Sequence, residues 1–345
     1  MSPRADVVVV GAGIVGLSIA FHLREGGASV TVVDRAGVGA GASGLQPGGV
    51  RQQWGTRTNC LLAQESLRFY ADVAERLQMR VDPGFRRCGY LFLAHSEEVL
   101  ERLQANVTLQ NSLGVPSRVI SPAGATELVP ELDAAGVMGG AWCDEDGYFD
   151  RPQAILEAFG VQFDVALRDV SDVDDLDADA VVVAAGVDTP RLLPELPLRA
   201  ESRRLFFSEP VRERLLEPLV VSAERGLAAK QLADGRLLAS DLRDGSRENV
   251  RSGFEELLPR LVYVALPTLV EGVYDVTPDH QPILGQVRER VWVASGFSGR
   301  GFMQAPAVGR IVAESVLGTG SDPILGEFDA KRFAEGRLVP EPSVV

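Results

Sequence analysis

Cysteine is scarce: Cys60, Cys88 and Cys143 are the only three in 345 residues. An odd number at wide spacing fits neither a disulfide framework nor a zinc site, and it makes a reducing compartment, the cytoplasm, the expected location. Long apolar runs are missing as well. No stretch approaches the roughly 18 apolar residues of a membrane span, and the apolar N-terminal stretch is broken by glycines, so it lacks the form of a secretory signal. Basic runs are equally absent, and a formal net charge of −14 leaves no surface suited to nucleic-acid phosphates. The three histidines, His22, His95 and His280, form no catalytic pair. No ligating cluster marks a metal site, and acidic pairs such as Asp174–Asp175 read as solvated loop.

What is present is a chain 46% hydrophobic, long enough for about two domains with a large core. Its most informative run is Asp6-Val-Val-Val-Val-Gly-Ala-Gly-Ile-Val-Gly16. Val7–Val10 read as a buried strand; Gly11 gives the tight turn, Gly13 lets backbone approach a pyrophosphate, and Gly16 lets the following helix pack on the strand. That helix, over 17–24, directs N–H groups at the phosphates, with Ile14 and Val15 in the turn before it also expected against the cofactor. A second strand over 28–33 finishes at Asp34, placed to accept from a ribose, with Arg35 beside it. Strand, turn, helix, strand and acid together predict a dinucleotide site.

Downstream, residues 37–49 hold six glycines among small residues, as where something approaches the backbone closely. Apolar spacing predicts helices over 58–76 and 97–113 and a strand over 89–94. Residues 179–186 read as a fully apolar parallel strand closing on Ala185–Gly186. Strands over 203–208, 227–231, 236–240 and 269–276 suggest an antiparallel sheet. The strand Val291–Ser295 leads into Gly296-Phe-Ser-Gly-Arg-Gly-Phe302 and a helix over 305–317.

The first turn alone is compatible with NAD. A second glycine-rich strand–turn–helix near the C-terminus favours FAD instead, because its N–H groups and helix dipole suit negative charge on an isoalloxazine.

On these motifs, together with Gly49-Val-Arg-Gln-Gln-Trp-Gly55 and Tyr274-Asp-Val-Thr-Pro-Asp-His-Gln-Pro282, the chain resembles the D-amino-acid oxidase superfamily. Within it, the sarcosine oxidase, glycine oxidase and secondary-amine dehydrogenase branch is the most similar. The resemblance implies an α/β (α+β overall) fold: a Rossmann-like FAD-binding domain of the glutathione-reductase type, discontinuous over 1–80, 144–200 and 275–335. An interleaved antiparallel-sheet substrate domain over 81–143 and 201–274 and a loose tail over 336–345 complete the expectation.

It further implies that Ala42, Ser43, Gly44 and Gly49 lie along the cofactor, as do Gly299, Arg300, Gly301, Phe302 and Met303, with Val170 on the adenine side. Arg51 matches the substrate-carboxylate arginine and Tyr274 a tyrosine near the substrate. Lys230 is the position offered for the lysine that speeds the oxygen reaction, although its local sequence reads as a solvated strand residue. Gly272 stands where some relatives carry a flavin-linking cysteine, so FAD is expected to be non-covalent; Met303 stands where a carboxylate-binding lysine occurs. Segment 152–181 lacks room for a full helix plus hairpin.

The implied reaction is oxidation of an amino acid or N-alkyl amino acid by hydride transfer to flavin N5, giving an imine that hydrolyses. Oxygen or another acceptor would take the electrons. Hydroxy-acid or polyol oxidation on the same scaffold, or a non-catalytic flavoprotein subunit of a heteromeric complex, are the alternatives; self-association stays open.

Overall fold

In the computed structural model, which describes residues 6–341, the opening motif folds as β1 (Asp6–Val10), α1 (Ile14–Glu25) and β2 (Ser29–Asp34). A strand of four consecutive valines has no polar face, so it is stable only when covered on both sides. β1 therefore sits centrally, parallel to β2 on one edge and to strand Ala180–Val183 on the other. The six-stranded sheet runs Ile283–Arg288, Val291–Ser295, Ala180–Val183, β1, β2, Ala166–Leu167, with the first strand antiparallel to its neighbour. The chain thus enters this sheet early, in the middle and at the end.

One face of the sheet is covered by α1 and helix Gly301–Leu317, packed against each other. Ser18 Oγ donates to Ala305 O at 2.9 Å, and a Cβ on Gly309 would lie 2.3 Å from Ser18 Oγ, so the two helices meet at a contact only glycine permits. On the other face Val8, Val10, Val181 and Val183 pack against Val173, Leu176, Leu193 and Leu196.

The second sheet has eight strands: Thr268–Val276, Arg199–Phe207, Leu237–Asp241, Leu227–Gln231, Leu219–Ser222, Tyr90–Ala94, Gly139–Cys143 and Arg118–Ile120. Alternation decides its two faces. Leu91, Leu93, Val220, Leu227, Ala229, Leu237 and Ala239 form a core with Val250, Phe254 and Leu257 of helix Arg247–Leu257. The intervening residues lie on the other face, where Tyr90, Phe92 and Val221 cluster with Val107 of helix Glu97–Ser112. A small sheet of Gly49–Val50, Gly147–Phe149 and Phe85–Arg87 joins the two parts.

Three expectations change. The final long helix begins at Gly301, four residues before the expected start, so Gly301–Met303 are its first turn and not a loop. The helix expected over 58–76 breaks at Asp72 into Arg57–Ala71 and Val73–Arg76. The tail expected to be loose is docked through Glu341, which is buried, its carboxylate accepting from Gly55 N and Thr56 Oγ1 at 2.8 Å and Asn59 Nδ2 at 2.7 Å. A buried carboxylate needs donors, and the turn after Trp54 supplies them; residues 342–345 lie outside the described residues. Segment 152–181 forms helix Pro152–Gly160, the two-residue strand Ala166–Leu167 and a 3-10 turn, with no hairpin among the described residues.

Candidate active site

A long cleft runs between the two sheets, and its first end is built by the opening motif. Gly11 has φ +116°, and a Cβ there would sit 2.2 Å from Ala184 O; only glycine closes this turn against the neighbouring strand. Gly13 is the N-cap of α1 and offers no side-chain acceptor. Ile14 N instead donates to Ser43 Oγ at 3.0 Å, fixing the 42–45 turn across the helix start. The remaining first-turn N–H groups have no side-chain cap, which makes this end of α1 an anion site. Asp34 accepts from Ala12 N at 2.8 Å through Oδ2 and from Ala36 N and Gly37 N through Oδ1. A carboxylate has about four lone-pair sites, so one remains for a ligand hydroxyl. Arg35 pairs with Asp188 at 2.8 Å, and Val170, Ala185 and Gly186 line the same end.

The second end is the Gly296–Met303 turn. Asp275 Oδ2 accepts from Gly296 N at 2.5 Å and Asp275 O accepts from Ser298 N at 3.0 Å, locking the turn to strand Thr268–Val276; desolvation pushes the Asp275 carboxyl up to about 6. Gly299, with φ +87°, admits the Tyr274 ring, which a Cβ would meet at 2.4 Å. Helix Gly301–Leu317 starts without a side-chain cap, so its first N–H groups also face the cleft unsatisfied by side chains. Phe302 contributes backbone here: its ring stacks on Tyr70 at 5.2 Å in the core.

Between these ends, the roof is the free face of the eight-stranded sheet. Arg51 is 4% exposed; its guanidinium stacks 3.7 Å from the Trp54 ring centroid and 5.1 Å from that of Phe92, and Nη1 donates to Gln53 O at 2.7 Å. Arg300, 3% exposed, approaches the same Trp54 ring at 5.4 Å and donates to Phe297 O and His280 O. Its Nη1 has no hydrogen-bond partner among the described residues. Burial lowers its guanidinium to about 10, which leaves it charged at neutral pH.

Beneath Arg51, the fully buried Asp146 accepts from Gln52 N at 2.7 Å and Gln53 Nε2 at 3.0 Å, and burial pushes its carboxyl up to about 6. Lys230 is not solvated: it is 1% exposed, 4.0 Å over the Tyr148 ring, and donates to Pro47 O at 3.0 Å. Burial lowers its ammonium to about 7. The strand alternation that placed it inward is invisible when both its neighbours are also buried.

The expected residues Gly11, Gly13, Ile14, Val15, Asp34, Arg35, Ala42, Ser43, Gly49, Arg51, Val170, Ala185, Gly186, Lys230, Tyr274 and Gly299–Met303 all line this one cleft. Gly16 and Gly44 stand behind the lining, where a Cβ would meet Gly11 O at 2.0 Å and Gly39 O at 2.3 Å respectively. Tyr90, Phe92, Trp54 and Asp275 also line it and were given no role from sequence. Tyr90 and Phe92 lie in a strand buried throughout, where period two separates the cleft face from the core face only once the partner layers are known.

These features test the fit of a flavin dinucleotide. Two uncapped helix starts at one cleft, a glycine turn without room for Cβ, and a buried unpartnered guanidinium nitrogen suit a long anionic ligand with a polar ring. They define a flavoprotein oxidoreductase site. Comparison with known proteins agrees: the chain belongs to the FAD dependent oxidoreductase (DAO) family, whose model matches residues 6–315, and FAD is its cofactor. It is 27% identical to the glycine oxidase of Geobacillus kaustophilus over 92% of this chain and 94% of that protein. It is 25% identical to the sarcosine oxidase subunit beta of Rhodobacter capsulatus, over 98% and 91% respectively. Among solved structures, the L-proline dehydrogenase of P. horikoshii superposes with a TM-score of 0.88 at 26% identity, covering 98% of this chain and all of that one. Among the described residues no helix is long and apolar enough to cross a membrane.

Proposed function

We propose that the protein oxidises the C–N bond of an amino acid or N-alkyl amino acid to an imine that water then hydrolyses. The observation carrying this reading is Arg51, buried in the cleft and backed by two aromatic rings, where a desolvated guanidinium suits a substrate carboxylate. Arg300 adds a second cation at the same Trp54 ring, offsetting the lysine replaced by Met303. FAD supplies the hydride acceptor. The chain's own residues do the rest: Arg51 orients the carboxylate, Trp54 and Phe92 exclude water, Tyr274 walls the turn, and the uncapped start of helix Gly301–Leu317 favours negative charge beside it. Lining carboxylates are committed elsewhere, Asp275 to Gly296 N and Asp241 to Arg243 N, Asp244 N and Ser246 N. Orientation and desolvation, not a protein base, therefore supply the rate.

On this reading Asp34 takes the ribose, Ser43 and the α1 start the pyrophosphate, and Val170 the adenine side. Lys230 serves reaction with oxygen, if oxygen and not another carrier is the acceptor. FAD is held without a covalent bond at Gly272, and three buried free thiols fit a cytoplasmic location. The test is to purify the yellow protein, release FAD by acid denaturation, and follow anaerobic loss of flavin absorbance against amino acids and secondary amines. Bleaching by amines supports the reading; bleaching by hydroxy acids alone, or by nothing, contradicts it.

A further inference from the structure

The roof of the cleft says more about the substrate than a carboxylate anchor does. Strand register aligns one residue per strand across the sheet: Phe92 opposite Val221, Val221 opposite Ala228, Ala228 opposite Ser240, and Leu205 opposite Val270, with Leu205 following from the Phe206–Ala239 pair. All six line the cleft. Directly opposed residues share a face, so this is one continuous row, six strands wide and about 24 Å long at ~4.8 Å per strand.

Its chemistry is one-sided. The single hydroxyl, on Ser240, donates to Arg204 O and is used within the sheet. Leu205, Ala228 and Val270 are half-buried, while Phe92 and Val221 are buried at the other end of the row. Such half-wet aliphatic surface inside a cleft is costly unless a ligand dries it. The part of the row that begins at Phe92 lies beside Arg51, whose guanidinium stacks on that ring.

We propose that the substrate carries a large apolar substituent, which lies along Phe92, Val221 and Ala228 while its carboxylate is held at Arg51. A glycine- or sarcosine-sized substrate would leave this apolar lining of the cleft unused. The inference rests on the carboxylate reading of Arg51 and is separable from it.

The experiment titrates the FAD-loaded protein with straight-chain monocarboxylates from acetate to octanoate, reading perturbation of the flavin absorbance. Stabilisation against thermal unfolding by the same series gives a readout independent of the flavin spectrum. Each added methylene tightens binding about fourfold over at least three steps, and Ala228→Trp cuts the gain short, as does Val221→Phe. A series without chain-length dependence, or one unaltered in both variants, overturns the proposal. Bleaching by glycine or sarcosine with a flat carboxylate series removes the apolar subsite and keeps the amine reading. A steep series without bleaching by any amine does the reverse.

Discussion

The two sides of the cleft are built by opposite rules. The dinucleotide side is local: β1, its glycine turn, α1 and Asp34 lie within 29 residues of one another, and Gly11 and Gly16 answer to contacts in the adjacent strand or a few residues away. The substrate side is assembled from distance. Arg51, Tyr90, Phe92, Lys230, Tyr274 and Arg300 come from five separate segments, and only the tertiary fold brings them to one cleft. Local construction fixes backbone geometry and tolerates little change; distributed construction fixes a surface whose chemistry can vary strand by strand.

Substitutions should therefore be severe on the first side and selective on the second. Gly11→Ala forces a Cβ to 2.2 Å from Ala184 O at positive φ; it is expected to cost about 3 kcal/mol or more and to abolish FAD retention, read by thermal unfolding and flavin-to-protein ratio. A variant that kept both would break the contrast. Arg51→Met should leave flavin content intact while lowering kcat/KM for a carboxylated amine by about 2–5 kcal/mol, roughly 30- to several-thousand-fold. Loss of flavin instead would place Arg51 on the wrong side of the comparison.

Lys230 gives an intermediate effect with a pH signature. Its ammonium is charged below about 7 and neutral above, so oxygen reoxidation assisted by that charge should slow as pH rises through about 7, and Lys230→Met should be slower and flat. Stability runs the other way. A lysine whose pKa is lower folded than unfolded carries its full burial penalty below about 7 and sheds it as pH rises toward its ordinary value. Lys230→Met should therefore gain most in unfolding temperature, relative to the parent, on the acid side. The smallest change is Ser43→Ala, which removes the acceptor of Ile14 N. About 1 kcal/mol and a severalfold weaker FAD affinity are expected, measured by titrating the apoprotein.

The same contrast decides what was legible in the sequence. Gly11, Gly13 and Asp34 could be placed because spacing along the chain is spacing in space. Ser43, Arg51 and Tyr274 came only through family motifs, and their surroundings did not come with them. Trp54, Phe92 and Asp146 take their roles from partners about 40 to 250 residues away, as where Gln52 N meets Asp146 and the Trp54 ring meets Arg300. Lys230 read as solvated because a strand alternates between two faces, and nothing local says that both are buried. Glu341 read as tail for a similar reason: its donors belong to a turn near residue 55.

The central claim is that Arg51 selects a carboxylated amine for oxidation by the flavin. It is tested most directly by anaerobic bleaching with an amino acid and with the amine left after removing its carboxyl group. The account predicts rapid bleaching by the first, little by the second, and loss of that preference in Arg51→Met. Equal bleaching by both in the parent protein would contradict it.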